Sequence, residues 1–486
     1  MKELVPHPSA LIHSMRSFGY RPHTALADLV DNSITAGASS ISIDLSPSHG
    51  AQLGWVRVVD DGRGMTSDEL YEAMRWGGRG PNQHRKPSDL GRFGLGLKTA
   101  SLSMGRRLTV ISAAAGSPVA LRWDLDVVEK TGKWTPLQGI DDTDLNLVER
   151  EIASLKKHGT VVLITALDKL RVDALSEKHQ QANRSGLIEQ IRNHLRLVYH
   201  RFLDSDKISI KLGASKLTGW NLFSTNGRSE ESSWLRSKEH LSNGSVEVRT
   251  FILPHHKALT PEQHEILGGP LGWNAHQGFI IYRAGRMIRS GGWLGFSKPE
   301  EHCKLARVAI DLPNASDDSW GLDVIKSKVV PPAILLGDIE RIARAARKDA
   351  AERYRIHGEK DATTDEDDAA FWKQITGNKS VFFRINRGHP LVEALVQSIA
   401  SKERGEAFLH AFERTLPISA ILQQPAKTTH GLAEDPSTEE LRQLATALRL
   451  TAEMLRKTGM SKEEALASAL ECAPFARLRN QLESYV

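Results

Sequence analysis

Cysteine and long apolar runs are the scarcest features of this sequence of 486 residues. It holds two cysteines, Cys303 and Cys472, whose wide separation predicts neither a disulfide framework nor a zinc site. No apolar run approaches the roughly 18 residues that a membrane-spanning helix needs. The first residues also lack the apolar core of a signal peptide. The sequence therefore argues against a disulfide-rich secreted class and predicts a soluble protein of the reducing cytoplasm.

A dominant charge of one sign is also missing, since 64 Lys and Arg residues face 59 Asp and Glu residues, a formal net charge of +5. This balance permits a nucleic-acid partner without requiring one. Basic residues nevertheless cluster in one part of the chain, at Arg283, Arg286, Arg289, Lys298, Lys304 and Arg307. If they share a face, they could bind the phosphates of duplex DNA without reading its base sequence. An ordinary solvated face is the alternative.

An amphipathic helix is predicted over residues 27–38, close to the N-terminus. Its polar face carries Asp28, Asp31, Asn32 and Thr35. Asp28 and Asn32 are one helical turn apart, so their side chains project side by side. A carboxylate beside an amide oxygen suits a site that positions a water and holds a hard divalent cation. Taken alone, the same pattern also fits a solvated helix face.

A predicted strand over residues 55–59 leads into a segment with glycine at alternate positions. This segment begins at Asp60 and continues through Gly62 and Gly64 to Met65. A carboxylate at a strand end can accept a hydrogen bond from an exocyclic amine, while glycines beside it admit a flat ring. A tight turn with positive-φ glycines is the alternative.

A second glycine-rich segment carries Gly91, Gly94 and Gly96, and a predicted helix over residues 97–104 follows it. This arrangement directs backbone N–H groups and a helix N-terminus towards an anion, and Lys98 adds a positive charge. The spacing matches neither the dinucleotide-binding fingerprint nor the phosphate loop of the Walker type.

In this order and spacing, the three segments resemble the GHKL ATPases, the superfamily of gyrase, the heat-shock chaperone, histidine kinases and MutL. Residues 159–165 resemble the strand that supplies a threonine beside the adenine-binding aspartate. Residues 91–101 are most similar to the MORC and MutL branch and to the bacterial MORC-like ATPases. The resemblance implies an α/β sandwich of the Bergerat type that binds ATP and Mg²⁺.

The resemblance also assigns roles to individual residues. Asp28 would be the general base, and Asn32 would ligate Mg²⁺. Asp60 would accept the adenine amino group, and Thr165 would support that contact. Residues 75–87 would close over the nucleotide as a lid. The other positions that would surround the nucleotide are Gly62, Gly64, Met65, Gly91, Gly94, Leu95, Gly96 and Lys98, of which those from Gly91 onward would hold the phosphates.

The two catalytic assignments each have an alternative. The general base of these ATPases is usually a glutamate, and Asp28 is one methylene shorter. This difference predicts slow hydrolysis and leaves Asp31 as an alternative base. A lysine of a following domain usually contacts the terminal phosphate, and Lys326 is the candidate here, with Lys328 as the alternative. Two lysines on a solvated loop would also fit that segment.

The predicted fold class is α/β. Residues 1–205 are expected to form the ATP-binding sandwich, and residues 206–350 a transducer-like (S5-like) α/β domain that contains a hairpin with an Ala-Gly turn. Residues 351–370 are predicted to be an acidic linker, and residues 371–486 a mostly helical region for dimerisation or partner docking. The strands expected in the first domain cover residues 41–45, 55–60, 107–113, 119–128 and 160–166.

Together these features predict a homodimerising ATPase that closes on ATP and reopens after hydrolysis, as a clamp or switch. The MORC-like resemblance implies a role in DNA transactions or in defence against foreign DNA. It also leaves room for a protein partner or effector. A nucleotide-binding scaffold with little turnover, which docks protein partners, is the alternative.

Overall fold

The chain forms two compact units in the computed structural model, residues 1–352 and residues 353–486. In the described part of both units, no helix combines the length and the apolar character needed to cross a membrane. The described residues are 6–46, 54–77, 90, 94–114, 116–155, 158–170, 177–225, 232–241, 246–313, 316–317, 319–322, 329–363, 371–377, 380–398, 409, 438–457, 459–471 and 475–482.

The first unit contains an eight-stranded sheet in the order β5-β4-β3-β6-β2-β1-β7-β8. Neighbouring strands are antiparallel except for β1 and β7, which run parallel. The strands are β1 (Ser40–Leu45), β2 (Trp55–Asp60), β3 (Arg107–Ala114), β4 (Val119–Asp124), β5 (Leu137–Gln138), β6 (His158–Thr165), β7 (Ser209–Leu212) and β8 (Ser215–Lys216).

Helices cover both faces of this sheet, which makes it a sandwich. Side chains of β2 alternate between the faces, because successive residues of a strand point in opposite directions. Val56 and Val58 lie in the larger core with Leu26, whereas Val59 packs against the smaller core that includes Val148. The helices are α1 (Pro8–Arg16), α2 (Pro22–Thr35), α3 (Ser67–Met74), α4 (Gly96–Leu102), α5 (Leu125–Thr131), α6 (Asp142–Ser154), α7 (Glu177–Val198) and α8 (His200–Asp204).

A second, five-stranded sheet belongs to the same unit and has the order β12-β11-β13-β10-β9. Its strands β11 and β12 form the predicted hairpin. Ala284 and Gly285 have φ angles of +47° and +83°, as a two-residue turn with positive φ at both positions requires. The elements are β9 (Leu235–His240), β10 (Glu247–Ile252), α9 (Pro261–Gly268), α10 (Trp273–His276), β11 (Gly278–Arg283), β12 (Arg286–Ser290), β13 (Ala306–Leu312) and α11 (Leu336–Thr363).

The second unit has its own apolar core, formed mainly by two helices of the chain end, α13 and α14. A capping box precedes α14, where Ser461 N–H donates to Glu464 Oε2 over 3.0 Å and Glu464 N–H donates to Ser461 Oγ over 3.3 Å. The described elements are β14 (Trp372–Gly377), β15 (Ser380–Ile385), α12 (Pro390–Ser398), α13 (Thr438–Lys457), α14 (Lys462–Glu471) and α15 (Arg479–Leu482).

The structure departs from the predicted elements at several places. The helix predicted over residues 27–38 covers Pro22–Thr35, and the first sheet continues past residue 205 into β7 and β8. The strand predicted over residues 119–128 ends at Asp124, whose Oδ1 accepts hydrogen bonds from the N–H groups of Asp126 and Val127 and so begins α5. The hairpin of β14 and β15 opens the region predicted to be mostly helical. Helix α11 continues into the predicted acidic linker as far as Thr363, and residues 364–370 lie outside the described part.

Candidate functional site

The polar face of α2 brings two predicted site residues next to the start of α4. Asp28 and Asp31 are buried, with 3% and 0% of their surface exposed, whereas Asn32 is exposed. Tyr20 Oη donates to Asp28 Oδ2 over 2.6 Å. A Cβ built on Gly96 would lie 3.6 Å from the same carboxylate oxygen. Asp28 and the glycine segment therefore meet, as the sequence predicts, and Asn32 follows one turn along α2.

Asp31 is held by two residues that sequence patterns did not assign to the site. Arg286 Nε donates to Asp31 Oδ1 over 2.8 Å, and Arg286 Nη2 lies 3.9 Å from Asp28 Oδ1. Tyr199 Oη lies 2.7 Å from the same Asp31 oxygen and 2.5 Å from the carbonyl oxygen of Ala27. Although burial favours its neutral form, the neighbouring carboxylates raise the pKa of Arg286 above its usual range. Since 255 positions separate Arg286 from Asp31, no local pattern reveals this contact.

The carboxylate of Asp60 ends β2 and is 7% exposed. Its Oδ2 accepts a hydrogen bond from Ser33 Oγ over 2.8 Å, and its Oδ1 accepts one from the N–H of Gly62 over 2.9 Å. Burial raises the pKa of Asp60 despite these two hydrogen bonds. Ser33 directly follows Asn32 in α2, so one helix contacts both ends of the predicted nucleotide site.

The pairing of β2 with β6 corrects the predicted partner of Asp60. Asp60 lies opposite Thr160, whereas Thr165 lies opposite Trp55 at the other end of the strand pair. Five residues of strand correspond to about 17 Å, and an odd separation also places the two threonines on opposite faces of the sheet. The prediction for Thr165 is therefore wrong, and Thr160 is the threonine beside Asp60.

Ser112 of β3 connects this threonine to the loop after β2. Its Oγ lies 2.8 Å from Thr160 Oγ1 and 3.0 Å from the carbonyl oxygen of Gly159. The same Oγ accepts a hydrogen bond from the N–H of Met65 over 2.9 Å. Ser112 thus links the loop at Met65 to Thr160, the residue that lies opposite Asp60 in the strand pair.

The two glycines of this loop are required by packing within the protein. Gly64 has φ of +69°, and a Cβ built on it would lie 1.7 Å from the carbonyl oxygen of Ala113. A Cβ built on Gly62 would lie 2.8 Å from Ala36 Cβ and 2.9 Å from Asp60 Oδ1. Only glycine fits at Gly64 without a backbone shift. The alternating glycines therefore fix the loop between β3 and α2, whatever ligand lies beside them.

The glycine segment before α4 is described from Gly94 onward, and it contacts the buried side chain of Lys98. Gly94 has φ of +64°, Leu95 precedes the helix, and Gly96 is its first residue. The buried Lys98 Nζ donates to the carbonyl oxygens of Gly94 and Ala73 over 3.0 and 2.7 Å. Burial lowers the pKa of Lys98 to about 8. Its amine therefore ties this segment to the end of α3, and the phosphate contact of Lys98 stays a prediction.

Leu90 is the one described residue between positions 77 and 94. It contacts a helix that packs on the first sheet and a strand of the second sheet. Its N–H donates to Thr35 Oγ1 of α2 over 3.2 Å, and its carbonyl oxygen accepts from Arg283 Nη1 of β11 over 3.1 Å. The predicted site residues outside the described part of the chain are Gly91, Lys326 and Lys328, together with residues 78–87 of the predicted lid.

The predicted basic groove is wrong, because three of its arginines are buried in the protein. Arg283, Arg286 and Arg307 have 3%, 4% and 0% of their surface exposed. Arg283 forms two hydrogen bonds of 2.6 and 2.7 Å with the carboxylate of Asp317. Arg307 Nη1 donates to the carbonyl oxygen of Lys304 over 2.6 Å. These cations are engaged by the protein and do not line an exposed groove.

Comparison with known proteins finds a family match over the segment that contains α2, β2 and α4. Residues 20–160 match the family model described as "Histidine kinase-, DNA gyrase B-, and HSP90-like ATPase". The chain is 32% identical over 100 residues to "ATPase morc-1" of Caenorhabditis elegans, a match that covers 21% of this chain and 11% of that protein. It is 50% identical over 54 residues to "DNA mismatch repair protein MutL" of Rhizorhabdus wittichii, a match that covers 11% of this chain and 9% of that protein.

These matches span only a small part of the relatives' length. Among solved structures, the ATPase and transducer domains of DNA topoisomerase II from Balamuthia mandrillaris are similar with a TM-score of 0.37 and 12% identity. That similarity covers 69% of this chain and 86% of the topoisomerase chain.

Residues 20–160, with α2, β2 and α4 at their centre, are therefore a GHKL ATPase domain. The chain is also similar to one MORC protein over 100 residues and to one MutL protein over 54 residues. The predicted α/β fold class is confirmed, since both sheets of the first unit carry helices on their faces or flanks.

Proposed function

We propose that this chain binds and hydrolyses ATP at the site formed by α2, the loop after β2 and the start of α4. The observation that carries the proposal is that one helix, α2, contacts both ends of the site. Asp28 faces the glycine segment at Gly96, and Ser33 holds Asp60 at the end of β2. The family match covers all of these residues.

The residues present fit an adenine nucleotide with Mg²⁺. A buried carboxylate, Asp60, with the Thr160 hydroxyl beside it suits the amino edge of adenine. Among the described residues, no group of three or more His, Cys, Asp or Glu could hold a metal ion alone. Mg²⁺ that is held through phosphates, waters and one protein oxygen needs no such group. The exposed amide of Asn32 would be that protein ligand.

When bound, the nucleotide and its Mg²⁺ supply the phosphoanhydride bond and the positive charge that favours its cleavage by water. Asp28 would accept the proton of that water at its carboxylate. The hydrogen bond from Tyr20 fixes the orientation of this carboxylate. Because aspartate reaches less far than glutamate, we expect slow turnover. Lys326, or Lys328 as the alternative, would contact the terminal phosphate from the predicted transducer-like domain, residues 206–350.

The substitution Asp28→Asn tests the proposal, because it removes the base and retains the size of the side chain. We expect ATP affinity within about threefold of wild type and phosphate release at least about 100-fold slower, the usual contribution of a general base. Titration calorimetry and a phosphate-release assay measure the two quantities. Asp142→Asn, at an exposed carboxylate of α6, is the matched control and should change neither. Unchanged turnover in Asp28→Asn would assign the base elsewhere.

We further propose that ATP closes the protein as a homodimer, as a clamp or switch in DNA transactions or in defence against foreign DNA. The support for DNA is the name that two relatives share, DNA mismatch repair protein MutL, since three arginines of the predicted basic groove are buried. The test is ATP hydrolysis titrated with duplex DNA. A rate that rises with DNA supports the proposal. A flat response favours a protein partner or effector as the stimulus, as in the alternative of a partner-docking scaffold.

A further inference from the structure

The hairpin of the second sheet inserts one arginine into the acidic face of α2. We propose that Arg286 is a positioning residue for ATP hydrolysis: it connects the second sheet to Asp28 and sets how readily that carboxylate accepts a proton. This inference rests on the proposed function, because Asp28 has this role only if the site hydrolyses ATP.

The geometry makes Arg286 a shared partner of two carboxylates. Its Nε donates to Asp31 Oδ1 over 2.8 Å, while Nη2 lies 3.9 Å from Asp28 Oδ1. All three side chains are almost fully buried, with at most 5% of each exposed. A buried carboxylate without its cation is strongly destabilising. The two aspartates therefore depend on an arginine that the other sheet supplies.

The other titratable groups that the structure describes around this cluster add little charge near neutral pH. Burial raises the pKa of both tyrosines above their usual value, and burial lowers the pKa of both histidines, to about 3 for His194. Arg286 is the cation that the described part of the chain places against both carboxylates. The titratable groups packed around Asp28, Asp31 and Arg286 are Tyr20, His23, His194 and Tyr199.

A cation this close favours the charged form of Asp28 and so weakens it as a base. Asp31 moderates the effect, because it takes the direct hydrogen bond from Arg286. The proton affinity of Asp28 is then set by how the guanidinium is shared between the two aspartates. Any shift of the hairpin relative to α2 changes that sharing. The same hairpin also contacts Leu90 through Arg283, so a second contact joins it to the ATP-binding domain.

The test is the acid limb of the pH profile of kcat, measured on the full chain. Arg286→Gln should move this limb upward by about one pH unit or more, because Asp28 loses its cationic neighbour. Asp31→Asn should move it downward, because Arg286 then acts on Asp28 alone. Arg286→Lys retains the charge and should leave the limb near its wild-type position. Arg289→Gln, on the same strand and outside the cluster, is the control and should not move it.

Shifts of opposite sign in the two variants are the supporting result, since a purely structural role lowers activity without such a pattern. If both variants fold, as circular dichroism reports, and leave the limb in place, the inference is overturned. If Arg286→Gln does not fold, the test depends on Asp31→Asn alone. An acid limb of kcat that does not move downward in that variant overturns the inference. Loss of all turnover in Asp31→Asn would make Asp31 the base and also overturn it. A wild-type protein that does not hydrolyse ATP at all contradicts the proposed function itself, and this inference with it.

Discussion

Single hydrogen-bonding groups define the end of the candidate site at which we propose that adenine binds. Asp60 is a buried acceptor that two donors, Ser33 and Gly62, hold in place. Such hydrogen bonds offset much of the penalty for burying a carboxylate. The raised pKa of Asp60 shows that burial still outweighs them. A further donor from a ligand would lower that pKa and stabilise the charged form.

Thr160→Val should weaken ATP binding, because it removes the hydroxyl beside Asp60 and nearly preserves the shape of the side chain. A lost hydrogen bond of about 0.5–1.5 kcal/mol corresponds to an affinity two- to about tenfold lower. Titration calorimetry with ATP measures this change. Thr165→Val is the matched control, since Thr165 lies at the other end of β6, and it should retain wild-type affinity. Weaker binding in the Thr165 variant alone would contradict the register-based assignment.

The sequence predicts the residues of the site whose partners are local and misses those whose partners are distant. Asp28 and Asp60 stand in spaced motifs, so their positions could be predicted. The choice between Thr160 and Thr165 depends on the register of two strands about 100 positions apart, which spacing within one strand does not determine. Arg286 was grouped with exposed basic residues, because only the tertiary structure reveals its contact with Asp31.

Among the elements, the loop after β2 shows how glycine is used for close packing. Gly64 combines a positive φ with a Cβ position that the backbone of Ala113 already occupies. Gly37 has a similar φ of +76° and nothing within 4 Å of its Cβ position. Substitution of the two residues can therefore distinguish the energetic cost of a positive φ from the cost of a steric clash.

Gly64→Ala should destabilise the protein much more than Gly37→Ala. The conformational penalty of roughly 1–2 kcal/mol applies to both substitutions. At Gly64 a contact of 1.7 Å with the Ala113 carbonyl oxygen must also be relieved by a backbone shift. Midpoints of chemical unfolding measure the difference. Equal midpoints for the two variants would show that the loop moves freely and would contradict the packing argument.

Element boundaries were predictable where caps are clear and less so where patterns overlap. The capping box before α14 joins Ser461 to Glu464, a spacing that is visible in the sequence itself. The end of β4 was missed, because the alternation of apolar and acidic residues continues through the first turn of α5. Asp124 decides the boundary by accepting hydrogen bonds from the N–H groups of that turn. An aspartate before such a turn is the sequence feature that could have revealed it.

At the scale of the whole first unit, the two sheets meet at the candidate site. The hairpin of β11 and β12 contacts the ATP-binding domain at α2 and at Leu90. The family match and the motifs lie in the first sheet and its helices, whereas Arg286 comes from the second. Sequence motifs therefore indicate the candidate site but not how the rest of the unit is connected to it.

The most direct test of the central claim is ATP binding and phosphate release by the full chain, compared between wild type, Asp60→Asn and Asp61→Asn. Asp61 is the matched control, because it is an adjacent, exposed carboxylate that accepts hydrogen bonds from the N–H groups of Ser39 and Ser40. We expect wild type and Asp61→Asn to bind and hydrolyse ATP and Asp60→Asn to do neither. Wild-type ATP affinity in Asp60→Asn would contradict the assignment of the site.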